Sequence, residues 1–150
     1  MKAIITTFMI SMVPLFELRG AIPYGVIVGL NLKEVLILCI IGNLLPVPFL
    51  IIFTRKIFAI LRKKSDSLNN FVLRLESKAE KKKGIVEKYE FLGLVILVAV
   101  PLPGTGAWTG ALVAAMMDMR IKRAFPAIAI GVVIAGIVVA WMTYGIKALA

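Results

Sequence analysis

The chain has 150 residues, of which 61% are hydrophobic, and its mean hydropathy is +0.98. Soluble domains are typically about 45–50% apolar, and a chain of this length cannot build a soluble core that hides the excess. Lys and Arg number 18, against 8 Asp and Glu. His is absent and Cys occurs once. These two counts exclude an internal disulfide and make Cys/His zinc, haem and iron–sulfur sites implausible. We therefore expect one integral membrane domain (1–150) without a cofactor, whose basic loops face anionic lipid rather than nucleic acid.

The first apolar block, Ala3–Leu32, is interrupted in the middle by helix-breaking and charged residues: Pro14, Glu17, Arg19, Gly20 and Pro23. Each apolar arm is shorter than the about 20 helical residues that cross a bilayer core. The block is therefore predicted as a helix, a break and a second helix, which together form a re-entrant hairpin. We expect the segment to be retained rather than cleaved as a signal sequence, because charge stands where a small-residue cleavage site would be needed.

The second block, Val35–Phe53, contains no charge and is predicted to span the membrane. Pro46 and Pro48 are expected to bend it. Asn43 places a polar amide within the span, where it needs a hydrogen-bond partner. That partner is either a neighbouring helix or a substrate.

The segment Thr54–Glu90 is rich in Lys and Arg, and its apolar residues recur mostly every three or four positions. The apolar positions are Leu68, Phe71, Val72, Leu75, Ala79, Val86 and Tyr89. This pattern favours a basic amphipathic helix that lies on the membrane surface. A solvated charged helix that joins the two halves is the alternative.

The third block, Phe91–Met117, is broken at its centre by two prolines and two glycines, Pro101, Pro103, Gly104 and Gly106. Thr105 is a candidate N-cap for the helix that begins near Ala107. The fourth block, Ala124–Ile146, is uninterrupted and predicted to span the membrane, with Trp141 and Tyr144 as interfacial anchors.

The two halves resemble each other, because Arg19–Gly25 aligns with Thr105–Ala111 and each half has a broken hairpin, a turn and a span. The predicted fold is an all-α polytopic membrane protein with two inverted repeats, about 3–53 and 91–146, joined by the amphipathic connector 54–90. The re-entrant arrangement places both basic segments on one face of the membrane, as the positive-inside rule favours. An arrangement in which all four blocks cross remains open.

Glu17 and Arg19 are the ionisable residues deep within apolar blocks, where charge is expensive and commonly functional. An extended segment at the hairpin tip would turn both side chains to one side, and Pro23 suits the first turn of the helix that follows. Helix N-termini that meet at mid-membrane would favour an anion, with Glu17 as a proton carrier or counter-ion. The alternative is a purely structural ion pair. The full candidate set is Glu17, Arg19, Gly20, Pro23, Asn43, Pro101, Pro103, Gly104, Thr105, Gly106 and Trp108.

Three motifs together resemble the putative small multi-drug export protein family: Glu17–Gly25, Gly42–Phe49 and Pro101–Gly110. That family is similar to the wider DedA/VTT membrane proteins. The resemblance implies paired re-entrant hairpins that face each other, and a role in moving polyprenyl phosphate or phospholipid. It also implies that Glu17 and Arg19 are functional residues. Pro101–Gly110 carries no charge, whereas DedA-type proteins have arginine there.

The expected function is a transporter, located in the cytoplasmic membrane, for an anionic or lipid-linked substrate. The first alternative is a proton-coupled exporter of amphipathic cations, with Trp108 and Tyr24 as cation–π surfaces. The second is a membrane assembly or shaping protein. An enzyme is not expected, because the sequence has no His and no serine–base arrangement. The expected partners are membrane lipids, the substrate, protons and a second copy in a homodimer.

Overall fold

The computed structural model describes residues 1–64, 66–67, 69–70, 83–102 and 105–149. Its helices are α1 (Lys2–Met12), α2 (Glu17–Ile27), α3 (Leu32–Leu44), α4 (Val47–Lys64), α5 (Lys83–Ala99), α6 (Ala107–Met116) and α7 (Ile121–Leu149). The described residues include no strand, and the predicted all-α fold is confirmed. Most positions on which the amphipathic connector was predicted, Leu68, Phe71, Val72, Leu75 and Ala79, lie outside the described residues.

Both blocks that were predicted to break do so. In the first, Val13 leaves the helical conformation with φ −79° and ψ 131°. The residue before a proline is disfavoured in the α region, so Pro14 explains why α1 stops there. In the second, α5 ends at Ala99 and α6 begins at Ala107, as the prolines and glycines between them predict.

Among the described residues, two helical stretches are long and apolar enough to cross a membrane, Leu32–Ile60 and Ile121–Gly145. The first combines α3 with most of α4, and it extends beyond the predicted Val35–Phe53 at both ends. The chain turns at residues 45–46, where Pro46 provides no N–H, and the helix then resumes. The start of the predicted connector therefore continues the spanning helix to Lys64.

The two broken hairpins end in the same type of turn. After α2, the Leu30 N–H donates to Gly25 O at 3.0 Å, and after α6, the Met119 N–H donates to Ala114 O at 2.9 Å. Each turn contains one residue with positive φ, Gly29 at 87° and Asp118 at 53°. Both are Schellman motifs, and each directly precedes a spanning stretch.

The two halves of the chain interlock. α2 contacts α3 of its own half and α7 of the other half, and α6 likewise contacts both α7 and α4. Close packing depends on small residues, as is usual between membrane helices. A Cβ added at Gly131 of α7 would lie 2.6 Å from the Val98 Cβ of α5. This packing brings the tips of the two hairpins together.

Candidate functional site

The Glu17 carboxylate lies against the N-terminus of α6. The Trp108 N–H donates to Glu17 Oε1 at 3.2 Å, and the Ala107 N–H also points at this carboxylate. The Glu17 side chain is 5% exposed. Because the first N–H groups of a helix have no partner within the helix and carry partial positive charge, a buried anion is stabilised there. The predicted anion site at this helix end is therefore occupied by a carboxylate of the chain itself.

Gly106 makes this contact possible. Its φ is 135°, a conformation that L-residues rarely adopt. A Cβ at this position would collide with the Glu17 carboxylate. Glycine is therefore required both by the backbone and by the approach of the side chain.

The Arg19 guanidinium binds the backbone of the second hairpin tip. Its Nη1 donates to Leu102 O, and its Nη2 donates to Val100 O at 3.2 Å and to Thr105 Oγ1 at 2.7 Å. The Thr105 hydroxyl in turn donates to Val100 O at 2.6 Å. The planar guanidinium of arginine suits such a set of acceptors. Its hydrogen bonds hold Val100, Leu102 and Thr105 together around the positive charge of Arg19.

Trp108 connects the same two tips from the other side. Its indole Nε1 donates to Met12 O at 3.1 Å, at the end of α1. Met12 is the last residue of α1, and carbonyls in the last turn of a helix have no partner within the helix. The sequence predicts Trp108 as a candidate site residue and as a cation–π surface, and neither prediction includes this hydrogen bond.

A small cavity of about 10 Å³ lies beside the Glu17 carboxylate. Its lining includes Glu17, Arg19, Asn43, Gly106 and Ala107, with apolar walls from α5 and α7. The Asn43 side chain is 1% exposed, and neither of its polar atoms has a hydrogen-bond partner among the described residues. The Asn43 amide lies close to the Glu17 carboxylate but outside hydrogen-bond geometry.

Three local predictions at the site require correction. Glu17 and Arg19 do not lie in an extended segment, because α2 already begins at Glu17; a positive φ of 45° at Glu17 redirects the chain there instead. Pro23 stands inside α2 and not in its first turn. Thr105 does not cap α6, whose N-cap is Gly106, because the Thr105 hydroxyl is bound by Arg19 and Val100.

The remaining predicted residues are placed as follows. Gly20 packs against the Phe16 side chain, and neither Gly20 nor Pro23 lines the cavity. Pro101 lies between the two carbonyls that accept from Arg19. Pro103 and Gly104 lie outside the described residues.

Sequence reasoning missed Arg55. This residue of α4 donates from Nη2 to Met119 O, and its Nε lies 3.6 Å from Asp118 Oδ1. It thus connects α4 to the turn between α6 and α7. The available signal was a charged residue directly after a charge-free span, but Arg55 was grouped with the basic connector.

In the part of the chain that the structure describes, the helices and the site together define a helical membrane protein with two candidate spans, in which a buried carboxylate and an arginine join two broken hairpins. The family model described as "Putative small multi-drug export protein" matches residues 17–138. The chain belongs to this family. A search of curated proteins and a search of solved structures each returned no match.

Proposed function

We propose that the protein is a membrane transporter that moves an anionic or lipid-linked substrate, of the phospholipid or polyprenyl-phosphate type, past the two hairpin tips. The family description supports export as the general activity. The observation that carries the choice of an anion is the hydrogen bond from the Trp108 N–H to the Glu17 carboxylate. This helix end binds a negative group, and Glu17 supplies one when no substrate is present.

In the proposed mechanism, the substrate anion and the Glu17 carboxylate compete for the N-terminus of α6. Two buried anions at one helix end repel each other. Substrate binding therefore requires Glu17 to turn away or to take up a proton. The second route would couple one proton to one anionic group.

Arg19 has a different role in this proposal. Its hydrogen bonds hold the second tip closed through Val100, Leu102 and Thr105. A phosphate offers stronger acceptors than carbonyl oxygens do, and arginine binds it bidentately. Arrival of the substrate would exchange carbonyl contacts of Arg19 for phosphate contacts and so open the tip.

We propose further that the hairpins are re-entrant and form inverted repeats. Arg19 and Thr105, which the repeat alignment pairs, are hydrogen-bonded to each other, as equivalent residues beside a twofold axis would be. The matching turns at Gly29 and Asp118 also support the repeat. Inverted repeats characteristically place a binding site near the middle of the bilayer.

The alternative of an amphipathic-cation exporter is less well supported. The Glu17 carboxylate already accepts from backbone N–H groups, and Arg19 beside it would repel a cation. A membrane-shaping role rests on the connector, most of which lies outside the described residues. We propose transport rather than catalysis, the cytoplasmic membrane as the location, and membrane lipids, protons and a second copy of the chain as partners.

The test is reconstitution of the full chain in liposomes with a fluorescent phospholipid or polyprenyl-phosphate reporter. We expect wild type to move the reporter, and Glu17→Gln and Arg19→Ala to lower the rate at least tenfold. Glu34→Gln and Lys33→Ala are matched controls, because both residues are exposed in the first turn of α3, and both should keep the wild-type rate.

Three outcomes would argue against the proposal. Equal rates in wild type and Glu17→Gln would remove Glu17 from the mechanism. A wild-type protein that moves neither reporter but exports cationic dyes would favour the exporter alternative. A wild-type protein that moves none of these would favour a role other than transport.

A further inference from the structure

The cavity beside Glu17 contains an unsatisfied polar group that the proposed anion exchange does not use. The Asn43 side chain is 99% buried, and both its amide nitrogen and its amide oxygen lack hydrogen-bond partners among the described residues. Buried amides without partners are rare in folded proteins, because each carries a desolvation cost. A partner that fits the cavity is therefore expected.

We propose that this cavity is a binding site for one water molecule, which bridges the Asn43 amide and the Glu17 carboxylate. Its volume of about 10 Å³ is at the lower limit for one water, since a cavity needs about 10–15 Å³ to hold a water molecule. The walls supply the two to four polar partners that a buried water requires. These partners are the carboxylate oxygens of Glu17 and both polar atoms of Asn43.

The chemistry of the lining selects water over an ion. A cation would meet the Arg19 guanidinium and the positive end of α6, both of which repel it. A second anion would meet the Glu17 carboxylate. α5 and α7 contribute Val98, Val132 and Ala135 to the lining and no titratable group. A neutral molecule that both donates and accepts satisfies all of these neighbours.

The bridge makes Asn43 a positioning residue for Glu17. α6 supplies donors to one side of the carboxylate, through Ala107 and Trp108. The water donates to the side that faces α3, and Asn43 holds the water in place. This role deepens the proposed function, because it positions the carboxylate that exchanges with substrate, but the water itself is detectable without transport.

The first measurement is a structure of the full chain in lipid nanodiscs, at a resolution that shows ordered water. We expect density for one water within hydrogen-bond distance of the Asn43 amide and the Glu17 carboxylate. A direct hydrogen bond between the two side chains, an ion, or a substrate group in that space would overturn the proposal.

The second measurement is infrared spectroscopy of the reconstituted protein before and after exchange into oxygen-18 water. We expect wild type to show a sharp band of an isolated buried water that shifts on exchange. The band should be absent in Asn43→Leu, which places apolar volume in the cavity. It should remain in Asn43→Ser, whose hydroxyl still binds water, and in Cys39→Ala, which changes a buried residue one turn away on α3.

Glu17→Gln keeps a carbonyl oxygen toward the water and should retain the band even if it loses transport. A transport failure therefore does not decide the water site. A band that persists unchanged in a folded Asn43→Leu variant, or that is absent from wild type, would overturn the inference.

Discussion

Glu17 takes the place at α6 that Ser, Thr, Asp or Asn takes at the start of most helices. Those residues accept an N–H of their own helix through a short side chain. Here the acceptor comes from α2, 91 residues away from Trp108 in sequence. The same hydrogen bond therefore both caps a helix and joins two hairpins, so its loss should affect stability and function together.

Substitution of Gly106 tests this contact directly. Gly106→Ala adds a Cβ that meets the Glu17 carboxylate, at a φ of 135°. Backbone strain of this kind costs about 1–3 kcal/mol, and displacement of a buried carboxylate adds to it. We expect the free energy of unfolding to fall by at least about 2 kcal/mol, measured by reversible unfolding in detergent micelles.

Gly93→Ala is the matched control. Gly93 lies inside α5, and a Cβ there meets nothing within 4 Å. Alanine is about 1 kcal/mol better than glycine inside a helix, so this variant should be as stable as wild type or more stable. If Gly106→Ala behaved like Gly93→Ala, the result would contradict the close contact between Glu17 and Gly106.

The two Schellman turns use different residues for the same conformation. Gly29 adopts a φ of 87°, and a Cβ there meets nothing within 4 Å. Asp118 adopts a φ of 53° at the corresponding place. A left-handed conformation costs a residue with a side chain about 1 kcal/mol relative to glycine. The second turn therefore carries strain that the first does not.

This difference predicts opposite effects of two substitutions. Gly29→Ala should lower the free energy of unfolding by about 1 kcal/mol. Asp118→Gly should leave the free energy of unfolding unchanged or raise it by about a few tenths of a kcal/mol. The substitution relieves backbone strain, and the ion pair with Arg55 that it removes contributes little because the Asp118 side chain is 72% exposed. Chemical denaturation of both variants measures this, and a larger loss in Asp118→Gly than in Gly29→Ala would contradict it.

The elements themselves could largely be predicted from sequence, because prolines and glycines act locally. Pro14 ends α1, and the stretch around Pro101 separates α5 from α6. The candidate set also contained the residues that come together, Glu17, Arg19 and Gly106. What sequence could not predict is how they pair. The local capping rule assigned Thr105 to α6, but Arg19 of the other hairpin donates to the Thr105 hydroxyl. The two residues are 86 positions apart in sequence, so the local sequence around Thr105 does not reveal this hydrogen bond.

The packing of the helices bears on how the hairpins lie in the bilayer. α1 packs against both α2 and α3, and α5 packs against both α6 and α7. Each hairpin is therefore supported by the span that follows it. Backbone groups at the breaks are bonded within the protein, for example Val100 O and Leu102 O by Arg19. Irregular backbone is tolerated at membrane depth under that condition.

The re-entrant and the fully crossing arrangements differ in the side on which two turns emerge. If both hairpins return to the face that they entered, Lys33 and Lys122 lie on opposite faces. If all four blocks cross, they lie on the same face. Both lysines are exposed and stand in the first turn of a spanning helix, α3 or α7. Substituted-cysteine labelling of Lys33→Cys and Lys122→Cys, on a Cys39→Ser background, separates the two arrangements.

We expect an impermeant thiol reagent to label the two positions from opposite sides of sealed vesicles. Lys2→Cys and Lys63→Cys serve as references, because both are exposed and flank the first half of the chain. In the re-entrant arrangement, Lys2 labels with Lys33, and Lys63 labels with Lys122. If Lys33 and Lys122 label from one side, the hairpins cross the membrane and the repeats are not inverted as proposed.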